Sequence, residues 1–130
     1  DARARWADAA SVALPAVDLR LLRPPRAAEA PLVVLLGTRH DSDEVAAQVA
    51  AAIRAWRPAD VALELCDRRF RRLFPFGIGA FVGLSQSAQT DAMRKLRYGK
   101  EQLAAAVAAE SVGARLALCD RDSSITEARF

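Results

Sequence analysis

Short apolar runs alternate along this chain with stretches whose apolar residues recur at helical spacing. Leu32 to Leu36 is a continuous apolar run, the pattern of a strand covered on both faces. Gly37 after it has the backbone freedom for a sharp turn. Val45, Val49 and Ile53 then recur every four residues with Ala46 and Ala50 beside them, which predicts an amphipathic helix over Asp43–Trp56. Asp41 or Ser42 can cap that helix, and Asp43 and Glu44 place negative charge at its positive end. Arg54 and Arg57 suit the last turn, and Pro58 stops it. Val61 to Leu65 is a second apolar strand. Strand, helix and strand together predict a βαβ unit with a right-handed crossover.

Val17 to Leu22 reads as an earlier strand, ended by Pro24 and Pro25, that pairs with Leu32–Leu36 at a sheet edge. The last third repeats the strand and helix rhythm. Leu103, Val107 and the alanines between Glu101 and Val112 predict a helix, Gly113 fits its C-terminal left-handed position, and Arg115–Cys119 is a third strand. The middle is less regular. Residues from Cys66 predict the start of a helix, the stretch from Gly77 to Gln89 has no dominant period, and residues from Thr90 look helical with Thr90 as cap. The expected fold class is α/β, with a parallel-rich central sheet built from βα units and helices on its faces. Residues 1–30 form an N-terminal segment with an edge strand, and residues 31–130 the α/β domain.

With 130 residues, 52% of them hydrophobic and 27% charged, the chain can bury one core. A net charge of +3 without a concentrated basic patch gives no reason to expect nucleic acid as a partner. Two cysteines, Cys66 and Cys119, do not make a disulfide scaffold, and a reducing intracellular compartment or an organelle such as a plastid or mitochondrion is favoured over secretion. The Arg- and Ala-rich opening, residues 1–10, reads as the remnant of a processed targeting segment. The ending, without a helix stop, reads as that of a fragment.

The chemistry-bearing residues fall where the strands end. His40, the one histidine, follows the first strand of the βαβ unit; Glu64 lies near the end of the second; Asp120 follows the third. Open α/β sheets bind ligands at that rim. A histidine and a carboxylate there can ligate a divalent metal or act as a general-base pair; the competing reading is that His40 caps a helix or bonds locally. A carboxylate in an apolar strand needs a partner, and Arg69 or Arg121 could neutralise Glu64 structurally. First-turn charge stabilisation accounts for Glu101, and an ion pair fixing the loop accounts for Asp120 and Arg121. The basic run Arg68–Arg72, followed by Phe74, Phe76 and the glycine-rich stretch to Phe81, is either a solvated helix face or a contact with a membrane surface. No phosphate-binding loop is present, since the glycines from Gly77 follow no strand.

Four motifs in order resemble the TraB/PrgY/GumN family, related to the TIKI proteases and to erythromycin-esterase-like and ChaN-like proteins. They are Gly37-Thr38-Arg39-His40; Glu64-Leu65-Cys66 with Arg69; Gly99-Lys100-Glu101; and Asp120-Arg121 followed by Thr126 and Arg129. The resemblance runs from about Leu32 to Arg129. It implies a parallel-rich α/β domain and, in the TIKI branch, metal-dependent hydrolysis of peptides. Carried over, it assigns His40, Glu64, Arg69 and Arg121 to catalysis and His40, Glu64 and Glu101 to a divalent metal such as manganese, cobalt or zinc. The family's second histidine motif has no counterpart here, so metal is expected to bind this chain weakly or not at all, and the chain alone is expected to be inactive. The alternative is a non-catalytic binding or scaffold subunit of a larger, membrane-associated assembly, taking a protein partner instead of a peptide substrate.

Overall fold

The computed structural model describes residues 12–22 and 32–129. The opening segment 1–10 and the proline-bounded linker after the first strand lie outside the described residues. Within them the chain is a mixed α/β structure. Strand β1 (Asp18–Leu22) pairs antiparallel with β2 (Val33–Gly37), in register from Asp18 opposite Gly37 to Leu22 opposite Val33. Helix α1 (Asp43–Trp56) follows, then β3 (Asp60–Leu63), α2 (Asp67–Leu73), α3 (Ile78–Val82), α4 (Gln86–Lys95), α5 (Lys100–Val112), β4 (Arg115–Leu118) and α6 (Ser123–Glu127). β3 and β4 pair parallel, Asp60 opposite Arg115 through Leu63 opposite Leu118.

All three strands expected of the central sheet form, but among the described residues they belong to two separate two-stranded sheets. β2 spends one edge on β1 and does not bond to β3. Apolar periodicity identifies a strand but not its neighbour, because pairing is decided by backbone groups that every residue carries.

The core lies between the helices more than on a sheet. Helices α1 and α5 pack against each other, and Ala52 of α1 and Ala106, Ala108 and Ala109 of α5 are fully enclosed. Side chains this small let two helix axes approach closely. Val45, Val49, Ile53 and Leu103 fill the seam, and Leu63, Leu65 and Phe74 extend it toward β3 and α2. Ser42 is the cap of α1, its Oγ accepting from the Val45 N–H at 3.2 Å. Arg57 ends that helix in the left-handed region at φ 46° immediately before Pro58.

The aperiodic middle holds two helices. α3 is a single short turn packed through Phe81, and α4 begins at Gln86 with Ser85 as its cap. Thr90 therefore lies inside α4, where its hydroxyl donates to the Gln86 carbonyl at 2.8 Å; it is not the cap. A threonine can accept a backbone N–H at a cap or bond back to the preceding turn, and sequence does not distinguish these.

Candidate functional site

Three consecutive residues at the start of α5 clasp the loop between β2 and α1. Gly99, left-handed at φ 83°, donates its N–H to the His40 carbonyl at 2.8 Å. Lys100 Nζ pairs with Asp43 Oδ1 at 2.7 Å. Glu101 Oε1 lies 2.6 Å from His40 Nδ1. Glycine at position 99 supplies a left-handed conformation that other residues rarely adopt. That turn starts α5 directly beneath the loop.

The two partners of the last contact are placed very differently. The Glu101 side chain is 2% exposed, whereas that of His40 is 53% exposed. An ionised carboxylate only accepts hydrogen bonds, so opposite one His40 donates from Nδ1. The short separation marks a charge-assisted bond. Glu101 also sits in the first turn of α5, where unpaired backbone N–H groups favour negative charge. Its second oxygen, Oε2, is buried and has no hydrogen-bond partner among the described residues. A buried carboxylate oxygen left in that state costs on the order of 1–3 kcal/mol.

The remaining expected residues are dispersed. Glu64 falls just past the end of β3, exposed between the buried Leu63 and Leu65, and makes no hydrogen bond or ion pair among the described residues. Alternation along the strand sends it to solvent, so it needs no compensating arginine. Arg69 pairs with Asp120 at 3.5 Å, linking α2 to the loop after β4. Arg121 lies exposed in that same loop. Cys66 is buried at the start of α2; the backbone N–H of Arg69 holds its thiol below the ordinary value, against the opposing effect of burial.

His40 and Glu101 supply two donor side chains. No group of three or more histidine, cysteine, aspartate or glutamate side chains suited to a metal converges among the described residues. A catalytic divalent metal takes three protein ligands and an open position. The residues that do come together therefore fall one short of that requirement, and no step below is routed through a metal.

Beside the clasp, Leu65, Arg69, Arg72, Leu73, Tyr98 and Gly99 line a small cavity of about 160 Å³. A larger apolar one of about 330 Å³ lies between α1, α4 and α5. Within the basic run, Arg68 pairs with Glu127, Arg69 with Asp120 and Arg71 with Asp67, while Arg72 has no ion pair among the described residues. The aromatic residues near it mostly turn inward. Phe70, Phe74 and Phe81 stack on one another, with centroids 4.9 and 5.4 Å apart, whereas Phe76 is 89% exposed. No described helix is long and apolar enough to cross a membrane. Comparisons with family models, with curated proteins and with solved structures each give no match.

Proposed function

We propose that this chain carries the general-base part of a TraB-like α/β domain whose complete form hydrolyses peptides, with His40 as general base and Glu101 as the residue that orients it. The 2.6 Å contact between a half-exposed imidazole and a buried carboxylate carries the reading. A base held at Nδ1 by a carboxylate presents Nε2 in a fixed direction. In the proposed reaction Nε2 takes a proton from water as its oxygen bonds to the amide carbon. The same proton then passes to the leaving nitrogen as the C–N bond breaks. Glu101 stabilises the imidazolium between these steps.

Two finer elements belong to the same proposal. The parallel β3–β4 pair supports a parallel-rich sheet built on those two strands. A contact with a membrane surface would rest on Phe76 with Arg68, Arg71 and Arg72, exposed members of the basic and aromatic run.

The test is a peptide-cleavage assay on the full gene product, without metal and with manganese, cobalt or zinc. His40→Ala should lower turnover by at least a hundredfold, within the range expected for loss of a general base, and Glu101→Gln by tenfold or more. Turnover that His40→Ala leaves intact would refute the assignment.

One observation favours the alternative of a binding subunit. Leu22 opposite Val33, and Leu35 beside them, form an exposed apolar patch on the β1–β2 hairpin. Absence of turnover under every condition, with a protein partner protecting that hairpin from hydrogen exchange, would establish it.

A further inference from the structure

We infer that the cavity beside the His40 loop binds a carboxylate carried next to an apolar side chain. Its polar lining residues are cationic or neutral, Arg69, Arg72 and Tyr98, with no acidic residue among the lining residues. Arg69 is partly neutralised by Asp120, whereas Arg72 has no ion pair among the described residues. A planar guanidinium matches a carboxylate through two parallel N–H bonds. Leu65 and Leu73 supply the apolar wall, which a wholly polar anion such as phosphate would leave unmatched.

Gly99 ties this cavity to the clasp. It lines the cavity while its N–H holds the His40 carbonyl at 2.8 Å, and a Cβ at this position would meet nothing within 4 Å. A carboxylate seated on Arg72 would therefore lie next to the loop that carries His40. This deepens the hydrolase reading by naming a substrate group, and it rests on that reading for its function. Its test reads binding alone, so its failure leaves the test of His40 standing.

The carboxylate could come from a peptide C-terminus or from a small free acid. The probes are N-acetyl-leucine, an acetylated tripeptide ending in leucine with a free carboxylate, and the amide of that tripeptide. Each is titrated into the ¹⁵N-labelled protein by NMR, with inorganic phosphate as a further probe. The carboxylates should shift the amide signals of Arg72, Tyr98 and Gly99 and bind at least tenfold more tightly than the amide or phosphate. Arg72→Gln should weaken them at least fivefold, and Arg72→Lys should restore only part of the loss. A tripeptide acid that binds more tightly than N-acetyl-leucine supports the peptide source; equal affinities support the free acid. Acid and amide binding alike, phosphate binding as tightly as the acids, or Arg72→Gln binding as the wild type does, would overturn the inference.

Discussion

Glu101 meets His40 across 61 residues of sequence, and the carboxylate is the buried partner of the two. This asymmetry separates stability from function. Removing Glu101 forfeits a charge-assisted bond to a half-exposed imidazole, which solvent screens. It also removes a buried oxygen that has no hydrogen-bond partner among the described residues. Breaking a buried ion pair by removing one member is costly when the other is left buried and unpaired, but here the member left behind, His40, is half-exposed and can be hydrated.

Glu101→Leu is therefore expected to leave the unfolding free energy within about 1 kcal/mol of the wild type, or to raise it. Urea denaturation measures this. A loss of about 3 kcal/mol or more would mean that the carboxylate holds the fold together and is not retained for the site.

The α1–α5 seam is expected to resist enlargement. Ala108 is fully enclosed between packed elements, and added methyl groups in such a seam cost about 1–3 kcal/mol. Ala108→Val should lower stability by that amount in the same denaturation experiment. Ala47→Val, on the exposed side of α1, should change it by less than about 0.5 kcal/mol.

Acid should loosen the start of α6. Asp122 Oδ1 accepts from the Ser124 hydroxyl at 2.7 Å and from its backbone N–H at 2.9 Å, and these bonds hold the carboxyl below its ordinary value. A folded value below the unfolded one adds stability that is complete above the ordinary aspartate pKa and is lost as pH falls through the folded value. The Ser124 amide signal should move with that acid transition, and Asp122→Asn should abolish the movement. A Ser124 signal that stays fixed through the acid range would contradict the capping role.

The two thiols should react at different rates. Cys119 is exposed and Cys66 is buried. Although the Arg69 N–H lowers the Cys66 pKa, enclosure governs access. Iodoacetamide should label Cys119 first and Cys66 only as the protein unfolds, as peptide mass mapping would show. Equal rates would mean that the start of α2 opens readily.

The elements with strong periodicity were legible in the sequence. α1 with its acidic first turn, α5 with its terminal glycine, and the pairing of β1 with β2 all follow from local patterns. The partition into two sheets was not legible, because strand neighbours are chosen through backbone groups. Glu101 was visible only through its motif: its local position asks for no more than first-turn charge, and its burial comes from helix packing that no local pattern records. Glu64 drew attention as a carboxylate beside an apolar strand, yet strand alternation sends it to solvent between Leu63 and Leu65.

His40 is the one histidine of the chain, so its imidazole nitrogens can be observed by NMR without ambiguity. Long-range ¹H–¹⁵N spectra at a pH where the ring is neutral report which nitrogen carries the proton. With Glu101 accepting from Nδ1, the spectrum should show Nδ1 protonated and Nε2 bare, and Glu101→Leu should return the ring to the mixed tautomers of free imidazole. A wild-type ring protonated mainly at Nε2, or one that Glu101→Leu leaves unchanged, would contradict the claim that Glu101 presents Nε2 of His40 for proton transfer.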